Sequence, residues 1–392
     1  MKEVNRLFSI PLIYFLGLIQ GIAFTTIPAA ANFLTSGEGF HFTDAEYGSI
    51  FLPMIFGAII ASFAGGALAK RFTVKNVLLV GIALSAASMA VFASAAAFTE
   101  GRYSVMLLTM LLLGTGFGAN ITSLNPFAIH FFPNRGSAAV TALHSCLGIG
   151  TAIGPLLWLF YSGWNLWWAD PTLLAALFAV LFFLSYIFLP RSAKLNGEGC
   201  ATETPQYTLL WTFAFIAFLY GIIETTYGNW STIYFHQVKN LSSASANTLL
   251  ALFWGAVTVG RIIATFLSIA LPPRWIYRLI PFLILVSALA IVNVAGFDSS
   301  VIVMIVAGLG CSAFLPLSVS FGVQNLKTNP TFASGLVIGC YMVGYGVAAE
   351  GIGFLHKIEG VPFETLFLTV AVISVFLVFL NLVSTWKMKH GR

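Results

Sequence analysis

The sequence predicts an all-α membrane protein: twelve transmembrane helices arranged as two pseudo-symmetric bundles of six. Three observations predict it. Only 8% of the 392 residues are charged while 59% are hydrophobic, against about 25% charged in a soluble globular chain. Apolar runs able to cross a hydrocarbon core of about 30 Å, which takes roughly 20 residues of helix, recur along the whole length. The basic residues also alternate from one connection to the next. Fourteen fall on one side: Lys2, Arg6, Lys70, Arg71, Lys75, Arg135, Arg191, Lys194, Arg274, Arg278, Lys327, Lys387, Lys389 and Arg392. Only Arg102, Lys239 and Lys357 fall on the other, and Arg261 lies inside a span. Because Lys and Arg accumulate in cytoplasmic loops, this bias places both termini in the cytoplasm and supports an even number of spans.

Taken in order, the first six spans cover 8–31, 46–69, 76–98, 103–129, 137–163 and 169–190. The first is too long for the apolar region of a cleaved signal and runs into an acidic outer loop, so it reads as a retained helix. The stretch RSAKLNGEGCATETPQY at 191–207 has the Gly, Ser, Pro and charged composition of a linker. Six more spans follow at 208–236, 246–271, 276–296, 299–325, 331–356 and 362–386. The expected organisation is an N-terminal bundle over 1–190, a cytoplasmic linker over 191–207 and a C-terminal bundle over 208–392. A weak internal repeat supports it. GLIQ at 17–20 matches GIIE at 221–224, FG at 56–57 matches WG at 254–255, GTG at 114–116 matches GLG at 308–310, and GIG at 148–150 matches GYG at 344–346. Offsets near two hundred residues, kept in order, suit two related halves whose glycines let helices approach closely.

The composition excludes several function classes. The net charge of +5 is a topology signal with anionic headgroups as its neighbours, and no basic cluster with interleaved aromatics supports nucleic-acid binding. Cys146, Cys311 and Cys340 fall within spans and Cys200 in the linker, so neither a disulfide nor a metal site is expected. No cofactor is implied, and the chain is expected to be a monomer. The sequon at Asn240 matters only in a glycosylating host. An enzyme would need catalytic groups converging on His144, whose own span carries no carboxylate to orient it. A channel would need a ring of like charge or a filter-like loop.

Charged side chains at membrane depth cost about 2.5–3.5 kcal/mol on insertion scales and so mark pathways. Three qualify: Glu224 near the middle of span seven, Arg261 in span eight and Glu350 towards the outer end of span eleven. Glu224 is either half of a fixed ion pair with Arg261 or a titrating site whose proton affinity changes as Arg261 approaches and leaves. Helical spacing groups Glu224 with Tyr227, Gly228 and Ser231 on one polar stripe and turns Trp230 elsewhere. Gln20, Asn120, Asn125, His144, Tyr227 and Trp254 supply the neutral hydrogen-bonding groups and aromatic face that a hydroxyl-rich solute needs. Asn120, Asn125 and His144 could equally serve helix packing. Trp158, Trp164, Trp167 and Trp168 read as interfacial anchors.

Twelve spans as six plus six resemble the major facilitator superfamily of secondary transporters. That family's loop between the second and third spans has the form G-x-L-a-D-r-x-G-r-k. Here it is GALAKRFTVK at 66–75, with Lys70 in place of the Asp and Thr73 in place of the Gly. NPFAIHFFPNRGSAAVTALHSCLGIGTAIGPLL at 125–157, GIIETTYGNWSTIY at 221–234 and WGAVTVGR at 254–261 are similar to segments of the fucose permease group of sugar–proton symporters. The resemblance implies a bacterial inner-membrane symporter of a small polar solute, sugars favoured, driven by protons and working by alternating access. The fucose permease uses carboxylates in spans one and four, where this chain has Gln20, Asn120 and Asn125, which leaves Glu224 as the coupling candidate. The 37 Phe residues are the argument for the alternative, an efflux or exchange transporter of amphipathic compounds.

Overall fold

The computed structural model describes residues 3–98, 100–132, 136–190, 207–325 and 330–390. Apart from Tyr207, the linker 191–207 lies outside the described residues, as do Cys200, Lys2, Arg135, Lys327 and Arg392. Among those described there is no strand, and twelve stretches of helix are long and apolar enough to cross a membrane.

The chain divides into two compact units. The first holds α1 (Glu3–Ala29) and α2 (Ala31–Thr35), then α4 (Phe51–Phe72), α5 (Val74–Ser94), α6 (Arg102–Phe131), α7 (Gly136–Ser162) and α8 (Ala169–Phe188). The second holds α9 (Tyr207–Gln237), α10 (Ser243–Ala270), α11 (Pro273–Ile291), α12 (Phe297–Cys311), α13 (Phe314–Asn325), α14 (Pro330–Lys357) and α15 (Phe363–His390). The short α3 (Asp44–Ser49) lies almost wholly in Thr43–Gly48, a segment that clusters with the second unit although its neighbours in sequence belong to the first.

Packing repeats between the units. α1 lies on α7, α4 and α5 lie on α6, and α5 lies on α8; correspondingly α9 lies on α14, α10 and α11 lie on α12, and α11 lies on α15. Glycines on the facing helices make this possible. A Cβ on Gly21 would strike the Leu147 carbonyl and one on Gly150 the Leu18 carbonyl, so α1 and α7 cross backbone to backbone. Gly221 against the Tyr341 carbonyl and Gly344 against the Phe218 carbonyl do the same for α9 and α14. Without a hydrophobic gradient between helices in lipid, such close approach supplies the dispersion contacts that hold them.

Backbone and packing depart from the regular helical pattern at three places. Span ten is interrupted: α12 ends at Cys311 and α13 begins at Phe314. Pro316 is the physical reason, since it has no N–H to offer the Ser312 carbonyl and its ring crowds that same carbonyl. The turn from α4 to α5 is made by Thr73 at φ 93° and ψ 148°, a left-handed conformation costly for a β-branched residue. One of the four tryptophans read as interfacial anchors is instead packed inside, and a second is half-buried. Trp158 is 2% exposed and stacks on Phe92, and Trp167 lies among Phe33, Phe40 and Phe92. Trp164, 72% exposed, and Trp168 remain on the outside.

Candidate functional site

The polar centre of the second unit is built around Glu224 on α9, which is 4% exposed. Tyr341 on α14 donates a hydrogen bond to its Oε2. Tyr220, one turn earlier on α9, places its Oη 2.7 Å from Glu224 Oε1 and 2.7 Å from the carbonyl oxygen of Cys311, the last residue of α12. The Tyr220 ring stacks on Phe314, the first residue of α13, at 5.1 Å between centroids and 6° between planes. Tyr220 thus touches both edges of the break in span ten.

Arg261 on α10 serves the same break. Its Nε donates to the Ser312 carbonyl at 3.1 Å, the acceptor that Pro316 leaves without a helical donor. No Glu224–Arg261 ion pair within 4 Å forms; Asp44 Oδ2 lies 3.5 Å from His356 Nε2 elsewhere in the unit. The fixed-pair reading of Glu224 is therefore corrected: its hydrogen-bonding neighbours are two neutral phenols. Arg261 spends its Nε on buried backbone that lacks a helical donor at a helix discontinuity, where irregular backbone at membrane depth must find partners inside the protein.

The polar stripe read from helical spacing does not hold as a unit. Tyr227 is fully buried, bonds Ser287 on α11 at 3.0 Å and stacks on Phe253, so it belongs to the packing of α9 on α10 and α11. Ser231 is buried with its hydroxyl unpartnered. Trp230 is fully buried edge-on to Tyr47. Trp254 closes on the bare face of Gly228, where a Cβ would lie 2.8 Å from its ring, and its Nε1 has no partner. Glu350 is half-buried with Oε2 unpartnered.

In the first unit, Gln20, Ser85 and Asn120 form a closed triad, all fully buried. Asn120 Nδ2 donates to Gln20 Oε1 at 2.7 Å and to Ser85 Oγ at 3.2 Å, and Ser85 Oγ donates to Gln20 Oε1 at 3.2 Å. Gln20 Nε2 and Asn120 Oδ1 are left without partners. Asn125, one turn and a residue further along α6, is half-buried with Oδ1 unpartnered, and His144 is half-buried on α7.

Sequence reasoning missed Tyr220, Tyr341, Ser85 and the break. Each left a signal: a Tyr four residues before the buried Glu, a Tyr in the glycine-rich GCYMVGYG of span eleven, a Ser in span three, and CSAFLPLS with a proline mid-span.

Known proteins are similar to this chain over most of its length. The Major Facilitator Superfamily profile matches residues 13–349. A 3-(3-hydroxy-phenyl)propionate transporter of Escherichia coli is 27% identical over 77% of this chain and 74% of its own. A putative glucose/galactose transporter of Helicobacter pylori is 25% identical over 66% of this chain and 68% of its own. Among solved structures, the fucose:proton symporter of E. coli superposes with a TM-score of 0.65 at 16% identity, covering 97% of this chain and 99% of that one.

Proposed function

Because the chain belongs to the major facilitator superfamily and is an integral membrane transporter rather than an enzyme, we propose that it is a proton-coupled symporter of a small polar solute, sugars favoured, with Glu224 as the proton carrier. One observation carries the reading. A carboxyl group within a spanning helix of the second unit is enclosed by two neutral hydroxyls instead of a fixed cation. A buried acid neutralised by an arginine would be a permanent strut, whereas one surrounded by neutral groups can hold a proton and release it once water or a charge arrives. The relatives named for sugars support the solute class. Arg261, already on the neighbouring helix, is the cation Glu224 meets if the break in span ten rearranges.

Of the candidate solute contacts, Asn125, His144 and Trp254 are the ones proposed to touch the solute, since Asn125 and Trp254 carry polar atoms without partners. Gln20 and Asn120 are fully buried and bonded to one another, and Tyr227 is committed to Ser287, so these three serve as the polar framework behind the site. The protein is proposed to sit in a bacterial inner membrane as a monomer with both termini cytoplasmic. Cysteine introduced at 239 or 357 should then react with an impermeant reagent from outside, and cysteine at 194 or 389 should not; the reverse pattern would overturn the orientation.

The test begins with a thermal-shift screen against hexoses, 6-deoxyhexoses, nucleosides and aromatic acids, because a solute that binds the folded state raises its melting point. A shift confined to aromatic acids sinks the sugar assignment. With the stabilising solute, vesicles carrying an imposed pH gradient should accumulate it uphill through the wild type. Glu224→Gln should lose that accumulation yet keep solute counterflow. Normal accumulation by this variant removes Glu224 as the carrier.

A further inference from the structure

The oxygen of Tyr220 faces a problem of proton supply. It lies 2.7 Å from two acceptors, Glu224 Oε1 and the Cys311 carbonyl, and a tyrosine hydroxyl has a single proton to donate. If Glu224 is a carboxylate, one of the two contacts holds no hydrogen and sets oxygen lone pairs against each other. Both become hydrogen bonds when Glu224 carries the proton on Oε1. The acid then donates to Tyr220 Oη, Tyr220 donates to the Cys311 carbonyl, and Oε2 remains free to accept from Tyr341.

We propose that Tyr220 is a positioning residue that reads the protonation of Glu224 and transmits it to the break in span ten. This rests on the reading of Glu224 as the proton carrier. With Glu224 protonated, the chain Glu224–Tyr220–Cys311 ties α9 to the end of α12. When the proton leaves for water, the carboxylate becomes the stronger acceptor and takes the Tyr220 proton. The Cys311 carbonyl loses its phenolic donor, and the break is held to α9 only by the Tyr220–Phe314 stack. Arg261 binds the adjacent carbonyl, Ser312, so a break loosened at Cys311 frees the guanidinium to move towards the new negative charge. A discontinuous helix is the element best suited to such a switch, because its backbone groups already take their partners from other helices. The titratable and charged groups around Glu224 are Tyr220 on its own helix, Cys311 on α12, Tyr341 and Tyr345 on α14, and Arg261 on α10. Glu224 is the sole carboxyl group among them.

The test needs no solute. Amide hydrogen exchange of the purified full chain, corrected for intrinsic pH dependence, is followed over residues 312–318 at acid and alkaline pH. In the wild type these amides should exchange about tenfold more slowly at acid pH. Glu224→Gln should protect them at both, because its amide donates to Tyr220 as the protonated acid does. Tyr220→Phe keeps the ring and its stack and should leave them unprotected at both. Tyr341→Phe, which removes the donor to Oε2 and leaves the Tyr220–Cys311 bond in place, should keep the wild-type difference. A purely structural Tyr220 would change protection without touching its pH dependence. Wild-type exchange insensitive to pH, or a Tyr220→Phe protein that retains the wild-type difference, overturns the proposal. If Tyr220→Phe does not fold, infrared difference spectra of wild type minus Glu224→Gln decide. A protonated-carboxyl band should appear at acid pH together with the protection, and absence of that coincidence overturns the relay. Failure of the carrier reading is separate, since it shows as normal uphill accumulation by Glu224→Gln.

Discussion

Gln20 in the first unit and Glu224 in the second occupy matching places in the repeat, yet their surroundings have diverged. Gln20 sits in a closed amide–hydroxyl triad with Ser85 and Asn120. Glu224 sits between two phenols, one of which reaches an interrupted helix. Around both, the helices cross at close-approach glycines, though not at matching positions of the repeat: Gly21 and Gly150 on α1 and α7, Gly221 and Gly344 on α9 and α14. The lesson is that one scaffold supports two kinds of polar centre. The triad has no ionisable member and nothing to switch, whereas the second centre holds an acid beside a backbone discontinuity.

The largest expected effect tests the shared scaffold. Gly150→Leu and Gly344→Leu each drive a side chain into a backbone carbonyl of the facing helix, Leu18 in one unit and Phe218 in the other. Backbone cannot step aside as a flexible side chain can, so each should cost about 3 kcal/mol or more. Size-exclusion chromatography should show little monodisperse protein for either variant. If one is tolerated and the other is not, the two crossings are not equivalent and the likeness between the units breaks at its base.

A middle-sized effect separates the polar centres. Asn120→Ala removes hydrogen bonds to Gln20 and Ser85 in a fully buried site, which should cost about 1–3 kcal/mol of stability. Solute affinity, read by the same thermal-shift titration, should stay within about threefold, a change well under the 1.4 kcal/mol of a tenfold effect. Tyr341→Phe should cost only about 1 kcal/mol yet lower pH-driven accumulation more than its stability explains. A large loss of affinity in Asn120→Ala would move Asn120 back among the solute contacts and erase the distinction between the two centres.

How far the sequence revealed these features depends on the physics of each. Span number and glycine crossings were legible because membrane insertion and close packing act on local composition, so GIIE and GYG keep their meaning without coordinates. Glu224 was legible as an expensive residue. Its partners were not, since Tyr341 lies 117 positions away, and helical spacing offered Tyr227 on the next turn in place of Tyr220 on the previous one. Arg261 was visible as a buried cation, and pairing it with Glu224 was the simplest electrostatic guess. That guess gave way because the Ser312 carbonyl, stripped of its donor by Pro316, competes for the same guanidinium. Trp158 was misplaced for a similar reason: amphipathic rings favour interfaces, but Phe33 and Phe92 offer it more burial.

The smallest effect concerns the turn between the second and third spans of each unit, where the halves also differ. In the second unit, α10 passes to α11 through Leu271 at φ −121° and Pro272 at φ −56°, ordinary backbone for those residues. In the first, Thr73 makes the turn at φ 93° while its hydroxyl caps α5 by accepting from the Asn76 amide at 3.3 Å. The resembled family loop has glycine at this position, and the left-handed backbone here is one that glycine adopts freely. Thr73→Gly should relieve strain on the order of 1–3 kcal/mol. Against that stand a few tenths of a kcal/mol for the lost cap and roughly 0.4–1 kcal/mol for the freer unfolded chain. The net expectation is a gain of about 1 kcal/mol, read as a higher melting point. Thr73→Ala is the control: it keeps the Cβ, loses the cap and should lower the melting point. Should both variants melt below the wild type, the cap outweighs the strain, and Thr73 is an adaptation of this loop rather than a cost carried by it.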